Sequence, residues 1–207
     1  MTIFTGNTVI DKLIDQETAV LVFGEAGSGK TTLLLTIASN ICSPDNPCIY
    51  ISTEDTLHYE RVARDPEKFG GIFFTEIRGL EELIVFSLKI LLLPPVRALF
   101  VDSINAPYRL VAYKEDSLAK LGLVIGLLWS KARSSGGKLF ASAQVRAGYR
   151  EDEEEVTASG MSVLEYWFNT ILQLIRVNGE RAVKAVKPDK GIIAKYTITS
   201  GGIRWIG

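Results

Sequence analysis

Short, unbroken apolar runs alternate along this chain with longer stretches whose apolar residues recur every three or four positions. Residues 19–23, 47–52, 72–75, 97–102 and 138–142 are compact and rich in apolar side chains. They read as strands covered on both faces. Between and after them, helical periodicity predicts helices at 31–41, 57–64, 79–92, 115–135 and 161–168. The last segments, 170–176, 181–187 and 194–199, alternate more and are separated by short turns such as Asn178-Gly179, which predicts antiparallel strands. Strand–helix alternation followed by hairpins predicts an α/β fold: a mainly parallel twisted sheet flanked by helices, with a C-terminal antiparallel extension. With no internal repeat or low-complexity linker, a single domain over 1–207 is expected. The 115–135 helix carries Leu118, Leu121, Leu123, Val124, Ile125, Leu127, Leu128 and Trp129, apolar almost all round. Deep burial is the first reading, a subunit or partner interface the second.

Composition narrows the classes. At 207 residues with 47% hydrophobic content the chain supports one sizeable core and excludes wholesale disorder. A net charge of −1 excludes bulk polyanion binding, so any nucleic-acid contact comes from local patches. The start Met1-Thr2-Ile3-Phe4-Thr5-Gly6 has no secretory pattern. The longest apolar run, Leu121 to Trp129, is too short for a bilayer. No membrane association and a soluble, cytoplasmic protein are expected. Cys42 and Cys48 read as reduced thiols, with a local disulfide as the alternative in a hyperthermophile, toward which scarce glutamine leans. The only histidine, His58, is not arranged with them as a metal ligand.

Chemistry enters at Gly24-Glu25-Ala26-Gly27-Ser28-Gly29-Lys30-Thr31, a complete G-x-x-x-x-G-K-[ST] loop between a strand and a helix that continues with Thr32. Its glycines let backbone N–H groups close around phosphates at the helix N-terminus. Lys30 is then expected on the outer phosphates and the Thr31 hydroxyl on Mg²⁺, which makes a nucleoside triphosphate and Mg²⁺ the expected ligands. Arg97-Ala98-Leu99-Phe100-Val101-Asp102-Ser103 is an apolar strand ending in an acid, as in a Walker B element, so Asp102 is a second candidate for Mg²⁺. Ile49-Tyr50-Ile51-Ser52-Thr53-Glu54-Asp55 ends in two carboxylates. Either could polarise an attacking water, and spacing does not choose between Glu54 and Asp55. Leu139-Phe140-Ala141-Ser142-Ala143-Gln144 ends in an amide that both donates and accepts, suited to sensing a γ-phosphate.

Taken in order, these segments resemble the catalytic core of the RecA/RadA recombinase family over most of the chain. Thr5-Gly6 followed by Asp11-Lys12-Leu13 resembles the family's entry segment, in which a short helix follows Thr-Gly. Tyr50-Ile51-Ser52-Thr53-Glu54-Asp55-Thr56 with Glu60-Arg61 is similar to its Y-I-D-T-E-G-T-F-x-x-E-R. Val101-Asp102-Ser103-Ile104-Asn105-Ala106-Pro107-Tyr108-Arg109 is similar to V-D-S-x-x-A-x-Y-R, and Ala141-Ser142-Ala143-Gln144-Val145 to I-T-N-Q-V. The resemblance implies that Glu54 activates water, that Arg61 lies near the adenine, and that Gln144 senses the γ-phosphate. It also implies that 104–116 and 145–160 line single-stranded DNA, with Arg109, Lys114, Arg146 and Arg150 as cations.

Three departures shape the expectation. The phosphate loop begins at Gly24, leaving no room ahead of it for a recombinase's helical N-terminal domain, and no F-x-x-A linker motif is found. Glu151-Asp152-Glu153-Glu154-Glu155 places five carboxylates in the second DNA loop, where they repel phosphate. Asp55 replaces the glycine of T-E-G. The chain therefore looks like a small core-only archaeal paralogue of RadA, of the RadB/RadC kind. That resemblance implies an ATP-binding, weakly ATP-hydrolysing accessory protein of homologous recombination and DNA repair. Its expected partners are single-stranded DNA, a RadA-type recombinase, and a Holliday-junction resolvase or other repair nuclease. The alternatives are a non-catalytic, ATP-gated interaction module and, ranked below it, a KaiC-like signalling ATPase.

Overall fold

The computed structural model describes residues 2–54, 59–145 and 158–206. Asp55, His58, Arg146, Arg150 and the Glu151–Glu155 run lie outside the described residues. Helix α1 (Thr8–Gln16) opens the order, then β1 (Ala19–Gly24), α2 (Lys30–Ile41), β2 (Cys48–Ser52) and α3 (Tyr59–Arg64). After a 3₁₀ turn at Pro66–Phe69 come β3 (Ile72–Glu76), α4 (Leu80–Ile90), β4 (Ala98–Asp102), α5 (Ala106–Leu110), α6 (Ser117–Ser134) and β5 (Lys138–Gln144). The chain closes with α7 (Met161–Trp167), β6 (Thr170–Val177), β7 (Glu180–Lys187), β8 (Gly191–Thr199) and β9 (Gly202–Ile206). All nine strands form one sheet in the order β3-β2-β4-β5-β1-β6-β7-β8-β9. Pairing is parallel from β3 through to β6 and antiparallel from β6 to β9. This is the α/β architecture expected of a RecA-like core.

Strand parity assigns the two faces. Val20, Val22, Tyr50, Phe100, Phe140 and Leu172 point to one side, where α2 supplies Leu33, Leu34 and Ile37. Leu21, Ile51, Leu99, Val101 and Ala141 point to the other, against α4, α6 and α7. On the α2 side, direct cross-strand register stacks Phe140 on Phe100 (centroids 5.0 Å apart) and Phe100 on Tyr50 (5.7 Å), with Phe74 beyond. This aromatic row ends beside the site, because the Tyr50 hydroxyl reaches Asp102.

The differences from expectation are local. Helix α6 is not buried all round: Leu121, Val124, Ile125 and Leu128 are enclosed, whereas Leu123 is 50% exposed. Segment 104–116, expected as a loop, contains α5. Strand β9 was not anticipated; its five residues mix Arg204 with Ile203 and Trp205, and pairing with β8 rather than periodicity makes it a strand. Cys42 and Cys48, read as reduced thiols, are joined as a disulfide. The reason is the turn between them: Ser43 and Asn46 form a bridge that brings the two Cα atoms to 5.7 Å, inside bonding reach. No helix among the described residues is long and apolar enough to cross a membrane.

Candidate functional site

The C-terminal ends of β1, β2, β4 and β5 face one cavity of ≈ 450 Å³, within the range of small-molecule sites. The phosphate loop forms its floor. Gly24 has φ +154°, and a Cβ there would lie 2.5 Å from the Leu174 carbonyl oxygen, so only glycine fits where the loop leaves β1. Gly29 has φ +106° and caps α2 in the left-handed region. The Lys30 ammonium donates to the Gly24 and Glu25 carbonyls at 2.8 and 2.9 Å, folded back over its own loop. Burial holds its pKa below the ordinary lysine value, opposed in part by the charges of Asp102, Glu54 and Glu25. Ala26, Gly27, Thr31 and Thr32 line the cavity beside it.

Period-2 geometry places Asp102 on the same face as α2, opposite the loop. Its carboxylate accepts from the Tyr50 hydroxyl at 2.9 Å and from the Ser142 hydroxyl, which fixes its orientation. Glu54 accepts from the Ser103 hydroxyl on Oε1 (2.9 Å) and from Gln144 Nε2 on Oε2 (2.6 Å). Gln144 in turn accepts from Arg109 Nη1 on Oε1 (2.7 Å). A guanidinium only donates, so Arg109 takes the amide oxygen and leaves the NH₂ end for Glu54. The peptide of Gln144 is pinned as well: Asn105 accepts from its N–H at 3.0 Å and donates to its carbonyl at 2.9 Å. At the far end Arg61 Nη2 donates to the Thr199 carbonyl at 3.4 Å, spanning from α3 to β8, with Ile198 and Leu35 as apolar wall.

The residues fit a nucleoside triphosphate with Mg²⁺. Ser28 Oγ is buried without a hydrogen-bond partner among the described residues, an orphaned polar group within the glycine-rich loop. Lys30, Thr31 and Asp102 meet at one cavity. A single carboxylate and a hydroxyl suit Mg²⁺, which takes its other ligands from phosphate and water. Among the described residues no cluster of three or more His, Cys, Asp or Glu side chains offers an all-protein metal cage.

The structure thus brings Lys30, Thr31, Glu54, Arg61, Asp102 and Gln144 to one cavity, with Arg109 touching it through Gln144. Lys114 is exposed, its ammonium 5.9 Å from the ring centre of the exposed Tyr113. Sequence reasoning missed Tyr50, Ser103 and Ser142, the partners of the two carboxylates. Strand parity would have put Tyr50 and Ser142 on the face of Asp102. Nothing local pointed to Tyr196, whose hydroxyl donates to the Ser28 carbonyl at 2.6 Å from 168 residues away.

Comparison with known proteins gives a consistent picture. No family model matches the chain. It is 29% identical over 192 residues to the DNA repair and recombination protein RadB of Methanobrevibacter smithii, covering 82% of this chain and 80% of that protein. RadB of Methanococcoides burtonii is 29% identical over 197 residues, 88% of this chain and 87% of its own. RadB of Methanococcus maripaludis strain C7 is 25% identical over 206 residues, 93% and 94% of the two chains. In each case the likeness spans at least four-fifths of both chains.

Proposed function

We propose that this chain, a RadB-like paralogue of RadA in the RecA/RadA family, binds ATP·Mg²⁺, hydrolyses it slowly, and acts as an accessory protein in DNA repair and recombination. The observation that carries the reading is the convergence of Lys30, Thr31, Asp102, Glu54 and Gln144 on one cavity at the carboxyl ends of the parallel strands. ATP supplies the transferable phosphoryl group when bound. The chain's own residues then have separate tasks. Loop amides and Lys30 would hold the phosphates, the Thr31 hydroxyl and Asp102 would hold Mg²⁺, and Glu54 would accept the proton of an attacking water. Each Glu54 oxygen already accepts one hydrogen bond, from Ser103 or from Gln144, so an attacking water must compete with these partners for the remaining lone pairs. That supports slow or gated turnover.

For nucleic acid, Leu110 at the end of α5 and Tyr113 and Lys114 just after it expose apolar, aromatic and cationic surface. This combination suits single-stranded DNA without sequence preference, and the binding is expected to be strongly salt-dependent. A RadA-type recombinase, or a Holliday-junction resolvase or other repair nuclease, is the proposed protein partner, in the cytoplasm. The engaged Glu54 favours one second reading, a non-catalytic module in which ATP only sets a surface for that partner. Measuring ATP binding and turnover with and without single-stranded DNA separates the two. Turnover above background, lost together with binding in Lys30→Ala, supports the enzyme. Binding without turnover supports the module, and unchanged ATP affinity in Lys30→Ala removes the site assignment itself.

A further inference from the structure

Tyr196 sits in the middle of β8, in the antiparallel extension, 1% exposed and far in sequence from every phosphate-binding motif. Its ring packs edge-on against Trp205 at 5.9 Å, and its Cε2 lies 3.7 Å from where a Cβ on Gly29 would stand. Ile198, two residues on and on the same face of β8, would be 2.8 Å from that Cβ and lines the cavity. The extension is therefore pressed against the last turn of the phosphate loop.

The hydroxyl of Tyr196 donates to the Ser28 carbonyl at 2.6 Å. The Ser28–Gly29 peptide is trans, since the two cis peptides lie elsewhere, at Asp102–Ser103 and Lys187–Pro188. In a trans peptide the C=O and the following N–H point in opposite directions. A carbonyl drawn toward Tyr196 therefore turns the Gly29 N–H away from Tyr196. Gly29 is the N-cap of α2 and lines the cavity, so its N–H belongs to the set of donors that a phosphate meets at this helix start.

We propose that Tyr196 is a positioning residue for nucleotide binding: its hydroxyl locks the Ser28–Gly29 peptide in the orientation that presents the loop's donors to phosphate, so the antiparallel extension sets the affinity of a site built by the parallel strands. This rests on the phosphate-site reading above and names how that site is held. Arg181 on β7, directly opposite Tyr196, and Arg176 on β6 are the charged groups facing the phenol. Neither is placed to replace its hydroxyl as the donor to Ser28 in the hydrogen bonds observed.

The test is Tyr196→Phe, which keeps the ring and deletes only the hydroxyl, with Lys30→Ala alongside. Mg·ATP and inorganic tripolyphosphate are titrated calorimetrically into each full-length protein. The expected result is a loss of about 3- to 10-fold in affinity for both ligands, the range for one lost hydrogen bond. Hydrogen exchange of apo protein should quicken in the peptide over 24–31 while 19–23 and 98–102 keep their protection. Unchanged affinity for both ligands, with binding abolished in Lys30→Ala, overturns the positioning role and leaves the site standing. A loss for ATP without a loss for tripolyphosphate also overturns it, because a residue acting through the loop must be felt by phosphates that carry no base. Intact binding in Lys30→Ala would overturn both. Should Tyr196→Phe lose protection everywhere, 3,5-difluorotyrosine at position 196 keeps shape and hydroxyl but ionises at lower pH. Tripolyphosphate affinity must then fall at a lower pH than in the wild type, and superimposable pH profiles would overturn the proposal.

Discussion

Strands β1, β2, β4 and β5 run parallel and are buried along nearly their whole length, whereas β8 and β9 run antiparallel and expose Ile192, Lys195, Thr197, Arg204 and Ile206. The two regions contribute to the same cavity by different means. The parallel strands end together, so residues at or just past their ends, Gly24, Glu54, Asp102 and Gln144, come together on one side of the sheet. The antiparallel strands run across that point and press groups onto it: the Tyr196 hydroxyl on the Ser28 carbonyl, the Ile198 side chain on Gly29, and the Thr199 backbone carbonyl under Arg61. The residues proposed for chemistry lie in the first region, and the second packs against the loop beside them.

Damage to the aromatic row beneath the parallel strands should cost most. Phe100 is fully enclosed between Tyr50 and Phe140. Phe100→Ala is expected to lower unfolding free energy by about 3–5 kcal/mol in urea titrations. Ile206→Ala, on the outer edge strand and 43% exposed, should cost under about 1 kcal/mol. Equal losses would erase the contrast between a load-carrying parallel core and a peripheral edge. Next in size is Glu54→Gln. Removing a general base lowers turnover by about 100- to 1,000-fold, and ATP affinity should stay within a few-fold because Lys30 and the loop are untouched. Normal turnover in this variant would move water activation to another group.

The parallel region was readable because its signals are local. Gly24 to Thr31 are contiguous, and Asp102 and Gln144 each end an apolar run whose length marks a buried strand. Glu54 needed the family resemblance, since two adjacent carboxylates look alike to spacing alone. The partners of these groups were less visible. Tyr50 and Ser142 meet Asp102 only after register is known, and Arg109 looks like a free cation until α5 brings its guanidinium to Gln144. Tyr196 was invisible: a tyrosine in an alternating strand reads as core, and only tertiary packing directs its hydroxyl to Ser28. Strand β9 failed for a related reason, its five residues drawing their strand character from β8.

Two smaller effects sharpen the role of the extension. Burial pushes the Tyr196 phenol up to about 12, above the usual value near 10 of an unfolded chain. A raised pKa means that the neutral, donating form is favoured in the folded state. Its contribution is therefore complete below about pH 10 and is lost as pH rises from about 10 to 12. Two units correspond to about 2–3 kcal/mol. Tyr50 is raised in the same direction, by burial and by Asp102, so the measurement is a difference. The stability gap between wild type and Tyr196→Phe should narrow between about pH 9.5 and 11.5, which takes in about three-quarters of that window. A constant gap would mean that the phenol does not titrate with folding.

The mildest expected effect comes from the far end of the cavity. Arg61 is half-buried and makes one long hydrogen bond, 3.4 Å, to the Thr199 carbonyl. It lies beside the Leu35 and Ile198 wall of the cavity. Arg61→Ala should weaken Mg·ATP by about 3- to 5-fold, under about 1 kcal/mol, through lost contact with the base. Tripolyphosphate affinity should not change. That pattern is the reverse of the one expected for Tyr196→Phe, in which both ligands weaken together, although both residues meet the same extension. If Arg61→Ala weakens tripolyphosphate as much as ATP, the guanidinium serves the phosphates. The division of the cavity into a phosphate end braced by Tyr196 and a base end closed by Arg61 then fails.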